Sequence, residues 1–149
     1  YQAPEGLLTD KIILVTGAGD GIGKEAALSY AKLGATVVLL GRSQEKLDDV
    51  YDLIESAGGP QPAIVPLNLE SAVELEYQQL ATTIENEFGR LDGLLLNAAM
   101  LGSITPIGHY HDEEWEHVMQ VNVNSQLANT NALLPVSYTP LTCPTKQIS

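Results

Sequence analysis

The sequence predicts an α/β fold, a doubly wound parallel sheet in which strands alternate with helices. Two observations carry this prediction. Four short apolar runs alternate along the chain with segments in which apolar residues recur every three or four positions. Three of these helical segments end at a glycine, namely Gly34, Gly58 and Gly89, which is a common way for a helix to end. Strands that alternate with helices favour one parallel sheet with right-handed crossovers.

Composition is typical of an ordinary globular domain. The 149 residues are 44% hydrophobic and 17% charged, enough for one domain with a buried core. Seven basic residues against nineteen acidic ones give a formal net charge of −12. Such a surface repels phosphate backbones and anionic lipids, so neither nucleic acid nor a membrane is expected as a partner. The sequence has no leader-like start at Tyr1 and no bilayer-spanning apolar run, so a cytoplasmic location is expected.

The four apolar runs are predicted to be strands at residues 11–16, 35–40, 63–67 and 91–96. The first two are continuous runs of β-branched and aliphatic residues, which is typical of strands buried on both faces. The third run contains Pro66, and proline cannot donate a hydrogen bond to a neighbouring strand. Proline therefore indicates a strand at the sheet edge or the end of a strand.

Helices are predicted at residues 22–33, 44–57 and 71–88, and a fourth from Asp112 to about Leu134. In the second and third of these, the apolar side chains fall on one face. Asp112 is followed by two glutamates, and it is predicted to be the acidic N-cap of the fourth helix.

The predicted domain covers residues 1–135. Beyond it the sequence has prolines at 140 and 144 and no apolar run, so residues 136–149 are predicted to be an irregular Pro- and Thr-rich tail. The sheet is then truncated after the fourth strand and the following helix. An apolar edge without a partner favours self-association, so a homo-oligomer is expected. Cys143 is the only cysteine, which excludes a disulfide framework, and it is expected to be inert.

The first strand runs directly into a glycine-rich turn, Thr16-Gly-Ala-Gly-Asp-Gly-Ile-Gly23. Its glycines allow the backbone to approach a ligand closely, and the helix that follows offers free N–H groups and the positive end of its dipole. A pyrophosphate suits such a site. The spacing fits Thr-Gly-x-x-x-Gly-x-Gly, whereas Ala18 and Glu25 break the Walker A pattern and Ile22 breaks G-x-G-x-x-G. A tight turn with a purely structural role is the alternative.

A basic residue follows the second strand, in Gly41-Arg42-Ser43. Dinucleotide folds that prefer NAD have a carboxylate there for the ribose 2′-hydroxyl. The Arg42 guanidinium and the Ser43 hydroxyl suit a 2′-phosphate instead, through charge-assisted hydrogen bonds. NADP is therefore predicted as the cofactor and NAD is less favoured, although Asp20 weakens the positive field. The arginine also disfavours S-adenosylmethionine, whose ribose requires a carboxylate. A solvated arginine is the remaining alternative.

Short polar segments follow the third and fourth strands, at Asn68-Leu69 and Asn97-Ala98-Ala99. Ligands of parallel α/β sheets bind beyond the carboxyl ends of the strands, so these segments are expected beside an adenosine. The Asn68 amide can bind the adenine edge, and Asn97 can tie strand ends together or contact the ribose. Each can also be an ordinary turn asparagine.

The glycine-rich turn, Asn97-Ala-Ala99 and Val121-Asn-Val123 at these spacings resemble the classical short-chain dehydrogenases/reductases, over about residues 8–135. The resemblance implies a Rossmann-type fold, a nicotinamide cofactor, and interconversion of a carbonyl and an alcohol in a small-molecule substrate. By position it implies a set of cofactor-binding residues, with Asn68 where the family usually has Asp and Ala99 where it usually has Gly. The candidate cofactor-binding residues are Thr16, Gly17, Gly19, Asp20, Gly21, Ile22, Gly23, Arg42, Ser43, Asn68, Leu69, Asn97, Ala98 and Ala99.

The resemblance also implies that Asn122 is the family's catalytic asparagine, which holds a water molecule in the proton relay. Apart from the family, Asn122 shares a helical face with Trp115, Val118 and Met119, so its amide is predicted to point inward. A buried amide needs hydrogen-bond partners, and an interior asparagine bonded only to backbone is the alternative.

The family's general acid/base is a tyrosine with a lysine four residues later, because a nearby ammonium lowers the pKa of the phenol. None of the six tyrosines in the sequence has a lysine at that spacing. The prediction is therefore an NADP-preferring short-chain oxidoreductase whose 149 residues bind the ADP-ribose half of the cofactor and catalyse little. A non-catalytic NADP(H)-binding or regulatory protein is the alternative.

A metal site is not predicted. His109, His111 and His117 lie among four acidic residues and supply enough ligands for a metal. Their place at a junction between a loop and a helix explains the acids as helix-capping and solvated charges.

Overall fold

The computed structural model describes residues 3–137. Within them, one sheet has the spatial order third, second, first and fourth strand, and every neighbouring pair is parallel. The chain winds outward from the first strand in both directions, which confirms the predicted doubly wound α/β fold. The strands are β1 (Ile12–Thr16), β2 (Thr36–Gly41), β3 (Ala63–Pro66) and β4 (Gly93–Leu95).

Three strands lie close to the predicted runs, and β4 is shorter. In the described sheet, β3 lies at an edge beside β2 and ends at Pro66, as its proline predicts. β4 has 3 residues, fewer than the run at 91–96. At its start, the Leu91 N–H donates to the Val136 carbonyl, at 3.3 Å, rather than to a neighbouring strand, so residue 91 is not part of the strand.

Helices α1 and α2 match the predicted helices to within one residue at each end, and α3 begins later than predicted. The helices are α1 (Gly21–Lys32), α2 (Gln44–Ser56), α3 (Glu74–Phe88), α4 (Asp112–Met119) and α5 (Ser125–Ser137). The residues before α3 form a turn, because the N–H groups of Ser71 and Ala72 donate to the Asn68 carbonyl at 3.2 and 2.9 Å. The Glu76 carboxylate then caps α3 by accepting from the Val73 N–H at 2.9 Å.

The predicted fourth helix is interrupted by a π-helical turn, Gln120–Asn124, between α4 and α5. The prediction that Asp112 is the N-cap is wrong, since His111 holds that position. The His111 carbonyl accepts the first hydrogen bond of the helix, from the Trp115 N–H at 3.1 Å. Asp112 lies in the first turn, where its negative charge still interacts favourably with the helix dipole.

Helix α5 continues through Pro135 to Ser137. The prediction of irregular structure from residue 136 is therefore wrong for residues 136 and 137. Tertiary and local contacts hold this last turn, because the Val136 carbonyl accepts from the Leu91 N–H and the Ser137 hydroxyl donates to the Leu133 carbonyl at 2.9 Å. The rest of the predicted tail lies outside the described residues.

The core has two layers, one on each face of the sheet. Successive side chains of a strand point to opposite faces, so Ile12 and Leu14 pack with buried residues of α3 and α5, whereas Ile13 and Val15 pack with those of α1 and α2. This packing on both faces fixes the carboxyl ends of the strands relative to one another. Within residues 3–137, no helix has the length and apolar character needed to cross a membrane.

Candidate functional site

A pocket of about 640 Å³ opens at the carboxyl ends of the strands. It lies between β1 and β4, where the strand order changes direction, since β2 and β3 lie on one side of β1 and β4 lies on the other. This volume is within the usual range for a ligand site. Of the predicted cofactor-binding residues, those that line the pocket are Gly17, Gly19, Asp20, Gly21, Arg42, Ser43, Asn68, Leu69, Asn97, Ala98 and Ala99. The lining residues outside that predicted list are Gly41, Lys46, Leu47, Leu67, Glu70, Met100 and Val121.

Thr16 lies beneath the pocket rather than on its surface. Its side chain is buried, and its Oγ1 accepts hydrogen bonds from the N–H groups of Asn97 and Ala98, at 3.0 Å each. In return, the Asn97 amide nitrogen donates to the carbonyls of Thr16 and Gly17, at 3.2 and 3.4 Å. Of the two roles predicted for Asn97, these contacts match the first, a tie between the ends of β1 and β4.

Gly23 also faces inward. A Cβ added there would lie 2.2 Å from the Gly17 carbonyl oxygen and 2.5 Å from the Asn97 amide nitrogen, so only glycine allows the first turn of α1 to pack on the glycine-rich turn. The neighbouring Ile22 points the other way, is 79% exposed and does not line the pocket. Thr16, Ile22 and Gly23 are thus the three predicted residues that the structure does not bring to the pocket surface.

Gly21 is the open position of the turn. Its φ of +50° lies in the left-handed region, and a Cβ added there would meet nothing within 4 Å. The backbone at this point is therefore free to approach a ligand, beside the N–H groups that begin α1. These features suit a pyrophosphate.

Asp20 caps α1 and carries the carboxylate nearest to that open position. Its Oδ1 accepts from the Gly21 N–H at 2.8 Å, and its Oδ2 lies 2.6 Å from the ammonium nitrogen of Lys46 on α2. The hydrogen bond from Lys46, together with the one from Gly21, lowers the pKa of the Asp20 carboxyl below its ordinary value. Asp20 is therefore charged at neutral pH.

Arg42 and Ser43 stand on the opposite wall, between β2 and α2. Ser43 is the N-cap of α2, and its Oγ accepts from the Lys46 N–H at 3.4 Å. Arg42 is exposed and forms no ion pair with any residue of 3–137. The end of β2 thus offers one uncommitted guanidinium and one hydroxyl to the pocket.

The segment after β3 forms the third wall. The Asn68 Oδ1 accepts from the Glu70 N–H at 3.1 Å, whereas its amide NH₂ has no partner among residues 3–137 and remains a free donor at the pocket. Leu69 is buried in the core beneath it. Glu70 connects this wall to α4, since its Oε1 lies 3.1 Å from the Nδ1 of His117.

Asn122 lies in the π-helical turn and is bonded to backbone. Its Oδ1 accepts from the Met100 N–H at 2.7 Å, and its amide nitrogen donates to the Met100 carbonyl at 2.8 Å. This pair of bonds fixes the segment after β4, so that Met100 and Val121 line the pocket. The predicted inward face is only partly correct, because Trp115 is exposed and stacks edge-on against Tyr110.

Metal-ligating side chains do not converge in the part of the chain that is described. Within residues 3–137, no three His, Cys, Asp or Glu side chains come together as a metal site requires. His109 and His111 precede α4, and His117 pairs with Glu70.

Comparison with known proteins extends this picture. The family model for short chain dehydrogenases matches residues 11–138. Over 136 residues the chain is 49% identical to the uncharacterised oxidoreductase YciK of Escherichia coli (strain K12), an alignment that covers 91% of this chain and 54% of that protein. The chain therefore spans about half the length of this relative.

Solved structures share the fold over the same region. A short chain dehydrogenase structure from Pseudomonas syringae matches with a TM-score of 0.89 and 53% identity, over 91% of this chain and 56% of that one. A Shigella flexneri 2a str. 301 protein, solved in complex with NADP, matches with a TM-score of 0.87 and 48% identity, over 89% of this chain and 56% of that one. The sheet order, the glycine-rich turn and these matches together establish that this chain belongs to the short-chain dehydrogenase family of oxidoreductases.

Proposed function

We propose that this chain forms the cofactor-binding site of an NADP-preferring oxidoreductase that interconverts a carbonyl and an alcohol by hydride transfer. One observation carries the choice of cofactor. At the end of β2, where NAD-preferring dinucleotide folds have a carboxylate, the pocket has the guanidinium of Arg42, which forms no ion pair within residues 3–137, beside the hydroxyl of Ser43. The NADP bound to the Shigella flexneri relative supports the same choice.

The residues present fit such a cofactor along its whole adenosine half. The open backbone at Gly21 and the start of α1 would hold the pyrophosphate. The amide NH₂ of Asn68 would donate to the adenine edge, and Arg42 and Ser43 would bind the 2′-phosphate. When bound, the cofactor would supply the hydride or accept it at its nicotinamide ring.

At the end of the pocket lined by Met100, we expect residues that hold the backbone in place and do not themselves react. Asn122 holds the Met100 backbone at that end, and the water-holding role that the family resemblance implies for it remains a prediction. None of the tyrosines of the 149 residues has a lysine four positions later, so this chain lacks the pair that moves the proton. We therefore expect the chain to bind the cofactor with little turnover of a carbonyl substrate.

Titration of the 149-residue chain with NADP and with NAD tests the proposal. Wild-type protein should bind NADP more tightly than NAD. The R42M variant should lose about 10- to 100-fold in NADP affinity, the range for hydrogen bonds to a charged group, and keep its NAD affinity. K32M, which removes a charge from the far end of α1, serves as the control. Equal affinity of the wild type for NADP and NAD would refute the cofactor assignment.

A further inference from the structure

Lys46 and Asp20 form a charge pair at the rim of the pocket. Both residues line the pocket, although Lys46 belongs to the first turn of α2 and Asp20 to the glycine-rich turn before α1. Their Nζ and Oδ2 atoms are 2.6 Å apart, and the two side chains are 55% and 76% exposed. The pair thus joins the two walls between which the adenosine half of the cofactor would lie.

The starting point of the Lys46 side chain is fixed by packing. A Cβ added at Gly19 would lie 2.9 Å from the Lys46 Cβ, so the glycine-rich turn touches the first turn of α2 at this residue. The next residue, Leu47, is fully buried in the core and anchors the helix. Only the flexible end of Lys46 therefore has to move for its ammonium group to change partner.

A phosphate is a stronger partner for this ammonium than Asp20. Ion pairs between exposed side chains contribute little stability, because both groups are well hydrated when apart. A phosphate monoester carries a charge of about −1.5 to −2 at neutral pH and three acceptor oxygens, against one charge and two oxygens for a carboxylate. Arg42 and Ser43 line the same pocket, and Ser43 caps α2 and accepts from the Lys46 N–H, so a phosphate held by these two residues would lie beside the first turn of α2.

Resting on the NADP preference proposed above, we propose that Lys46 is a specificity-determining residue for the 2′-phosphate and that Asp20 competes with this phosphate for the Lys46 ammonium group. Asp20 acts as an internal substitute for the phosphate when the subsite is empty. It also repels the phosphate that displaces it. Asp20 therefore weakens the preference of this chain for NADP.

Two matched nucleotides isolate the subsite, namely adenosine 2′,5′-bisphosphate and adenosine 5′-monophosphate, which differ only in the 2′-phosphate. Calorimetric titration of the 149-residue chain with each gives the preference directly. We expect K46M to weaken bisphosphate binding about tenfold, the lower range for a charge-assisted contact, with little effect on the monophosphate. D20N keeps an acceptor for the Gly21 N–H, and it should strengthen bisphosphate binding about threefold by removing one like charge. K32M should leave both affinities unchanged.

The double variant separates competition from simple charge. Because Asp20 acts partly through Lys46, D20N should give a smaller gain in the K46M background than in the wild type. K46R, which keeps the charge, should retain most of the bisphosphate preference. If the pair is merely structural, K46M and D20N will change the melting temperature and leave the ratio of the two affinities unchanged. That result would overturn this inference while leaving the NADP proposal intact. Failure of both nucleotides to bind the wild-type chain would overturn both.

Discussion

Replacing Thr16 with Val tests the contact that joins the ends of β1 and β4. Valine keeps the shape and the β-branched preference of the strand and removes the hydroxyl. In the native chain, that oxygen accepts hydrogen bonds from the N–H groups of Asn97 and Ala98, at 3.0 Å each, and donates to the Leu95 carbonyl at a longer 3.4 Å. The substitution therefore leaves two backbone donors without an acceptor under the floor of the pocket.

The size of the effect follows from these two donors. An unsatisfied buried N–H costs about 1–3 kcal/mol, so two of them cost about 2–6 kcal/mol. The added methyl group of valine recovers about 1 kcal/mol by apolar burial. We expect a net loss of about 3 kcal/mol in the free energy of unfolding. In a chain of this length, that loss corresponds to a fall in melting temperature of about 6–12 °C.

Urea denaturation followed by circular dichroism, with thermal melts alongside, measures the loss. T16S keeps the oxygen and should recover most of the lost stability. T36V is the matched control, because Thr36 also lies in the sheet, at the start of β2, and its hydroxyl forms no hydrogen bond with residues 3–137. If T16V loses no more stability than T36V, the hydroxyl does not hold the strand ends and the reasoning is refuted.

Two further predictions concern the glycine-rich turn and the start of the sheet. G23A should lose about 1–3 kcal/mol of stability, measured by urea denaturation, because its methyl group would overlap the carbonyl of Gly17. The methyl group of G21A meets open space, so this variant should lose about 1–2 kcal/mol, from left-handed backbone strain alone. A larger loss in G21A than in G23A would contradict the steric argument. Partial burial raises the pKa of the Asp92 carboxyl, but hydrogen bonds from the Ile12 N–H and from Arg90 outweigh burial and hold that pKa below its ordinary value. The stability that Asp92 contributes is then present above its unfolded pKa of about 3.9 and is lost as pH falls through the lower folded pKa. D92N should therefore flatten the acid side of a plot of melting temperature against pH. An unchanged acid slope would exclude this role.

The fold could be predicted from the sequence because its signals are local. The buried runs of β1 and β2 and the glycines that end α1, α2 and α3 depend on a few neighbouring residues each, and their order alone determines a parallel, doubly wound sheet. One error arose where a distant residue decides. Leu91 lies outside β4, and its N–H bonds to Val136 on α5, across 45 positions of sequence (136 − 91).

The site was predicted to the extent that the strand ends determine it. Arg42, Ser43 and Asn68 follow strands directly, so the rule that ligands bind beyond the carboxyl ends of a sheet was enough to find them. Lys46 was missed because a lysine on the exposed side of the first turn of a helix resembles any solvated charge. The close packing of Gly19 against Lys46 joins the two at the pocket, and close approach between a turn and a helix cannot be read from either segment alone.

The glycine-rich motif itself contains two kinds of residue that a pattern treats alike. Gly21 faces open space and is available to a ligand, whereas Gly23 and Thr16 face inward and are required by contacts within the protein. The inward residues determine the shape of the turn whatever cofactor it accepts. Besides Asp20, the charged side chains on which the proposed choice between NAD and NADP depends lie outside the motif, and they are Arg42, after β2, and Lys46, in α2. Altering these two should therefore change the preferred cofactor without disturbing the turn, whereas altering Thr16 or Gly23 should disturb the turn for both cofactors.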